Sequence, residues 1–260
     1  MSILIQGKNV TSYVPKGAWD LSNTGVSLVQ VEGAGTTPTV ISTPNAVNSC
    51  ASNSVTGQTV CTANTTDVYL ISGATLSSTL TSEGSGQASF SGGSCTNCGV
   101  AINAVTNKAL LALNTSSGPG FQFLDLAGPP TFEPAFASPS GRISENILIN
   151  PISKLILSPA ENGNYELVDF SSSTPAFFEN SPAGSQEFDS AAIDCATGIA
   201  LASDEFTNKI FLADLTQAKF TPGSPGTWSD PGVNLQSIPD FDSLSAGTND
   251  IAIVPALTRG

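Results

Sequence analysis

Histidine is absent from this 260-residue chain, and methionine occurs once. Without an imidazole there can be no Ser-His-Asp triad, no Cys-His nucleophile pair and no His-ligated zinc. Charge is sparse too: 11% of residues are charged, 8 basic against 21 acidic, for a net charge of −13. Such a chain repels a phosphate backbone instead of neutralising it, which argues against nucleic acid as a partner. The acidic excess reads first as a solubility device, and second as cation binding or adaptation to a salty or acidic setting. No apolar run approaches the roughly 18 residues of a membrane span. No segment of about ten residues keeps apolar positions at helical spacing.

What the chain does have is turn chemistry and repetition. With 24 Gly, 17 Pro and 40% hydrophobic residues, its composition suits many short strands in an all-β fold. One phrase recurs: an apolar strand ends in Asn or Asp, turns over Thr or Ser, and returns as a second apolar strand. It is plain at Ile102-Asn103 through Thr106 and Lys108, at Ile149-Asn150 through Ser153 and Lys154, and at Ile193-Asp194 through Thr197 and Gly198. Aligned on the turn residue, Asn53, Asn103, Asn150 and Asp194 are spaced by 50, 47 and 44 residues. Third strands fall into the same register, at Val68 to Ser72, Phe121 to Asp125, Tyr165 to Asp169 and Ile210 to Asp214. A more variable fourth strand follows, as at Thr75 to Thr81 and Pro175 to Asn180.

Four strands in a unit of about 45 residues mark a propeller blade. The ends complete the count. Thr248 to Val254 reads as a first strand with no second after it. The N-terminal segment supplies Lys8 to Val14 as second strand, Val26 to Gln30 as third and Thr39 to Ser42 as fourth. The expectation is a single domain over residues 1–260: an all-β, five-bladed β-propeller closed by a blade shared between N- and C-terminal segments, which hides the sheet edges. An insertion from Phe220 to Pro239 lengthens the fourth complete blade.

Cys50 and Cys61 lie symmetrically about a turn and would face each other across a hairpin, within reach of a disulfide. Cys95 and Cys98, in a Gly/Ser loop with no βαβ pattern around them, read as a local disulfide and not a redox motif. Cys195 is left over. Two disulfides and few lysines point to a secreted or cell-surface protein, although residues 1–7 are too short for a signal peptide, so the chain reads as a mature form or a segment of a precursor. Glycosylation sequons begin at Asn9, Asn64 and Asn114, and in a chain this rich in Ser and Thr such triplets arise by chance.

Val60-Cys61-Thr62-Ala63-Asn64 leading to Val68-Tyr69-Leu70-Ile71, and Leu201-Ala202-Ser203 leading to Asn208 and Ile210 to Asp214, resemble the YVTN-type β-propeller repeat. The first strand of that motif is altered here, with Cys61-Thr62-Ala63 and Leu201-Ala202-Ser203 where Tyr-Val is usual. The resemblance implies the fold. Its members include secreted surface proteins, binding modules and some enzymes, so activity must be argued from a site.

The innermost strand of a blade lines the central channel. Five residues before each turn residue stand Asn48, Cys98, Glu145 and Asp189, and Asp250 matches them in the closing strand. Converging, Asn48, Glu145, Asp189 and Asp250 would form an oxygen-ligand set suited to Ca2+, which Asn45, Asn97, Asn146 and Asn249 could widen. The set is similar in residue type to the calcium sites of regucalcin-like lactonases and related phosphotriesterases, which are six-bladed. The plainer reading is that these polar groups hydrogen-bond backbone and trapped water. Asp125, Asp169 and Asp214 recur with the repeat as turn formers, Glu161 and Asp204-Glu205 occupy corresponding hairpin loops, and Trp19 and Trp228 stand in loops where they could stack on sugar. Three functions follow: a secreted non-enzymatic propeller binding an unknown protein or glycan partner, a calcium-dependent hydrolase or lactonase working at the channel mouth, or a sugar-binding propeller.

Overall fold

The computed structural model describes residues 17–22, 25–30, 39–73, 75–90, 93–138, 141–142, 144, 146–160, 163–169, 176–180, 187–204, 209–218 and 233–234. They fall into two compact units, Met1–Ala137 and Ser138–Gly260.

In the first unit, β1 (Gly17–Ser22), β2 (Gly25–Gln30) and β3 (Thr39–Ser42) form a three-stranded antiparallel sheet. A four-stranded meander follows: β4 (Val47–Ser52), β5 (Gln58–Ala63), β6 (Asp67–Ser72) and β7 (Thr75–Thr81). After a small hairpin, β8 (Ala88–Phe90) with β9 (Gly93–Cys95), comes a sheet of β10 (Asn97–Asn103), β11 (Lys108–Thr115) and β12 (Gly118–Asp125). Its outer edge is shared by two short strands, β13 (Thr131–Phe132) and β14 (Phe136–Ala137), both paired with β12. Gly120 lets that edge close: a Cβ there would stand 2.4 Å from the Phe136 carbonyl oxygen.

The second unit holds two more meanders. One is β15 (Leu148–Asn150), β16 (Leu155–Pro159), β17 (Tyr165–Asp169) and β18 (Ala176–Asn180). The other is β19 (Phe188–Asp194), β20 (Ile199–Asp204), β21 (Lys209–Asp214) and β22 (Val233–Asn234), with a short 3-10 turn at Leu215–Gln217.

Four sheets thus match the four repeats, strand for strand. Their second and third strands are covered on both faces, which is why they read as unbroken apolar runs such as Leu110-Leu111-Ala112-Leu113. Outer strand β7 instead alternates exposed and half-buried residues, the period-2 pattern of a sheet with one free face. Within each unit, neighbouring sheets pack face to face. Val60, Val68 and Leu70 meet Val100, Leu111, Leu113 and Leu124 in the first unit, and Leu155, Leu157 and Leu167 meet Phe188, Ala202 and Phe211 in the second. The Phe188 and Phe211 rings pack edge to face at 5.5 Å. Both expected disulfides are formed: Cys50–Cys61 joins directly opposed residues of β4 and β5, and Cys95–Cys98 links the buried end of β9 to β10.

The N-terminal reading needs correction. The strand paired with β2 is Gly17–Ser22, so Trp19 lies within a strand and not a loop. From Trp19 to Ser22 it alternates apolar and polar, the period-2 signal that the sequence reading passed over. Cys95 likewise ends a strand, since the Gly/Ser segment before it folds as a hairpin. Lys8 to Val14, Thr248 to Val254, Trp228 and most of Phe220 to Pro239 lie outside the described residues, although the expected insertion contains the fourth strand, Val233–Asn234.

Candidate functional site

Three of the four first strands end on their turn residue and Asn53 directly follows the fourth, β4; in each repeat the side chain there closes the turn. Oδ1 of Asn53 accepts from the backbone N–H of Val55 and Thr56, at 2.8 and 3.2 Å. Asn103 does the same for Val105 and Thr106, Asn150 for Ile152 and Ser153, and Asp194 for Ala196. Four residues after each anchor the backbone is left-handed, at Gly57, Asn107, Lys154 and Gly198, with φ between 52° and 74°. Glycine and asparagine tolerate that conformation readily, and lysine does not.

The amide end of the anchor has a second role. Asn53 Nδ2 donates to Asn107 Oδ1 of the next sheet at 2.6 Å, and Asn150 Nδ2 to the Cys195 carbonyl at 3.3 Å. An amide offers both acceptor and donor, which a carboxylate does not. Asp194 has the acceptor alone, and its carboxyl is held below the usual carboxylate range chiefly by the Ala196 N–H. Beside it, burial followed by the Asp194 charge pushes the Cys195 thiol up, which makes it a poor nucleophile.

At the other end of the first strands, the positions singled out from sequence share a backbone feature. The β4–β5 ladder slips by one residue between Val47 and Ser49, leaving Asn48 as the extra residue. The β10–β11 ladder slips between Asn97 and Val100, around Cys98, and the β19–β20 ladder between Phe188 and Ser190, around Asp189. A one-residue bulge bends the strand and re-aims the side chain it carries.

The side chains described there brace their own sheet or join it to a neighbour. Asn48 Nδ2 donates to Asn64 Oδ1 at 2.8 Å and to the Asn97 carbonyl of the next sheet at 2.6 Å. Asn97, fully buried, donates to the Thr65 and Asp67 carbonyls and accepts from Ser82 Oγ. Thr62 Oγ1 donates to the Cys98 carbonyl at 3.1 Å, and Cys98 itself is in a disulfide. Asn45 Nδ2 donates to Asp67 Oδ2, and Asn146 Nδ2 reaches Ser190 Oγ at 3.3 Å. Asp189 is placed on β19 by its backbone, while Glu145, Asn249 and Asp250 lie outside the described residues. Among the described residues no three His, Cys, Asp or Glu side chains gather as a metal cluster would.

Elsewhere, Asp125 and Asp214 close the turns after their strands, accepting from Ala127 N and Thr216 N. The hydroxyl of Thr216 is the main cause of a lowered Asp214 pKa. Sequence reasoning passed over a set of buried polar residues on the third strands. Tyr69 accepts the Asn45 N–H, Gln122 accepts the Glu83 N–H and donates to the Glu133 carbonyl, and Glu166 accepts from Ser138 Oγ. These residues occupy matching positions, three before Ser72, Asp125 and Asp169, and each grips the segment that leads into its sheet. A polar residue inside an apolar strand was the available signal.

No protein-family model matches the chain. Nor does any curated protein sequence. Solved structures do, 754 chains in all, so the likeness marks a widespread fold and not one activity. The chain is similar to a crystal structure of Chaetomium thermophilum Raptor, with a TM-score of 0.51 and 10% identity over 64% of this chain and 15% of that one. It is also similar to a crystal structure of a nidogen/laminin complex, with a TM-score of 0.57 and 12% identity over 79% of this chain and 74% of that one. At these identities only the fold is shared: all-β, antiparallel and propeller-like.

Proposed function

We propose that this chain is an exported, non-enzymatic β-propeller that binds a protein or glycan partner through its loops. In this reading residues 1–260 form one five-bladed ring of the YVTN type, closed by a blade shared between the two terminal segments. The carrying observation is the use made of the polar side chains at the first-strand bulges. Asn48 and Asn97 tie one sheet to the next, leaving the loops to vary freely. Two disulfides support export, because they persist in oxidising compartments. The likeness to a chain of a nidogen/laminin complex supports a protein partner.

The test is to probe labelled protein on arrays of extracellular proteins and glycans. Saturable binding that survives Glu145→Ala and Asp189→Ala is expected. Glycan binding that depends on Trp19 or Trp228 would select the sugar-binding form of this reading.

A second reading is supported by the recurrence of the bulge at Asn48 and Asp189. Asn48, Glu145, Asp189 and Asp250 would hold Ca2+ at the channel mouth, and a calcium-activated water or a carboxylate would act as base in hydrolysis. Stoichiometric Ca2+ binding by calorimetry, lost together with lactone hydrolysis in Asp189→Ala, would replace the first reading with this one.

A further inference from the structure

Two of the three sequons stand at the same place in successive repeats, eleven residues after Asn53 and Asn103, where the second strand ends. Their surroundings differ. Around Asn64 the chain is walled in: its N–H donates to the Ala46 carbonyl, its Oδ1 accepts from Asn48, and its carbonyl accepts from Thr96 Oγ1. The sequon threonine, Thr66, has its carbonyl bound by both the N–H and the hydroxyl of Ser82. The segments at Ala46 to Asn48, at Ser82 and at Thr96 therefore meet at Asn64-Thr65-Thr66, and the Asn64 amide oxygen holds Asn48, whose Nδ2 also reaches the Asn97 carbonyl of the next sheet.

Asn114-Thr115-Ser116 instead leads into the tip of the β11–β12 hairpin. Ser116 and Ser117 are exposed. Thr115 Oγ1 shapes the tip locally, donating to the Gly118 carbonyl and accepting from the Ser117 N–H. The Asn114 backbone is held too, its N–H donating to the Thr96 carbonyl at 2.8 Å and its carbonyl accepting from the Ser85 N–H at 2.7 Å, but its side chain makes one exposed hydrogen bond, Nδ2 to the Ser85 carbonyl at 3.0 Å.

We infer that Asn114 is an N-glycosylation acceptor, occupied in preference to Asn64, when the chain passes through a glycosylating secretory pathway. The inference rests on the export proposed above. The donor is a lipid-pyrophosphate-linked oligosaccharide. A bond forms between Asn114 Nδ2 and the anomeric carbon of the first sugar while the bond from that carbon to the pyrophosphate oxygen breaks. The lipid pyrophosphate leaves with the electron pair, and the amide gives one proton to the transferase. One N–H remains on Nδ2, enough to keep the bond to the Ser85 carbonyl, so the folded hairpin accommodates the product. A glycan there would shield the tip of the hairpin, the bulky and solubilising role such modifications have on surfaces.

The experiment expresses the full chain behind a secretory leader in a glycosylating eukaryotic cell and reads site occupancy by glycopeptide mass spectrometry, on secreted and retained pools alike. Most Asn114 is expected to carry glycan and most Asn64 to be bare. Asn114→Gln and Ser116→Ala should each remove the mobility step that glycosidase removes from the parent, and Asn64→Gln should leave it. Bare Asn114 in a chain whose two disulfides have formed would overturn the assignment, as would equal or greater occupancy at Asn64. Because the retained pool is read too, a variant that folds poorly still reports. Export itself is tested separately, by the disulfide state of the native protein in cell fractions, so its failure is distinct from failure of the site.

Discussion

Replacing Asn53 tests whether the anchor residue really performs two tasks. Its side chain is fully buried, with Oδ1 taking two backbone N–H groups of its own turn and Nδ2 reaching Asn107 Oδ1. Asn53→Asp keeps the acceptors and removes the donor, placing a carboxylate oxygen against the Asn107 oxygen. Asn107 has little freedom to turn its amide round, because its Nδ2 already donates to the Leu126 carbonyl at 2.7 Å and to Gln58 Oε1 at 3.2 Å. One hydrogen bond is therefore lost and an acceptor is left without its donor, for a cost of about 1–3 kcal/mol. Asn53→Ala also frees the two turn N–H groups and should cost about 2–4 kcal/mol.

Urea unfolding at neutral pH measures both, with Asn107→Gly completing a double-mutant cycle. Glycine is the right partner since residue 107 has φ 52°, which alanine would strain. A coupling of about 1–2 kcal/mol between positions 53 and 107 is expected. If Asn53→Asp is as stable as the parent within about 0.5 kcal/mol, or the coupling falls below about 0.3 kcal/mol, the bridging role is refuted and the asparagine is a turn residue only.

Other consequences follow from the same framework. Gly120→Ala forces a Cβ to 2.4 Å from the Phe136 carbonyl oxygen, so unfolding measurements should show a loss of about 1–3 kcal/mol. Lys154 has φ 58° and is exposed, and Lys154→Gly should raise stability by about 0.5 kcal/mol as relief of strain outweighs glycine's entropy; Gly57→Ala, with open space around the new methyl, should lower it by about 1 kcal/mol. Asp194 and Asp214 have folded pKa values below their ordinary ones, so their stabilisation is present above the unfolded value near pH 4 and is lost as pH falls through the folded values. Thermal melts across that acid range should therefore be flatter for Asp194→Asn than for the parent, with neutral-pH stability unchanged because asparagine closes the same turn elsewhere.

Much of this was legible because the repeat dictates register. Once Asn53, Asn103, Asn150 and Asp194 are aligned, Cys50 and Cys61 must lie opposite each other, and the β6, β12, β17 and β21 strands fall where the apolar triplets stand. The N-terminal sheet was misread because its first strand carries no copy of the anchor phrase, Asn or Asp with Thr or Ser three residues on, that registers the others; Lys8 to Val14 competes with Gly17–Ser22 on apolar content alone. The bulges at Asn48 and Asp189 were invisible, since an extra residue in one strand shows only against its partner. The links between sheets were equally hidden: Asn53 and Asn107 are 54 residues apart, and no local pattern says that one amide meets the other.

The repeat also says where selection for binding can act. A change at Asn53, Asn150 or Asn97, or at Tyr69, Gln122 or Glu166, is felt by two segments at once, because each of these side chains joins parts of the chain that the backbone ladder does not. Those positions are therefore constrained by the stability of the array, whatever the protein binds. The hairpin tips are not. Val55, Val105 and Ile152 occupy the same position in three turns and are all strongly exposed, at 77, 83 and 71%, although burying any of them would be favourable. Their exposure follows from the geometry: the anchor binds the backbone N–H of that residue, which points its side chain outward whatever its chemistry. Substituting them should leave stability within about 0.5 kcal/mol of the parent. Any loss of partner binding in such variants would report recognition directly, free of the folding effects that changes at the anchors bring.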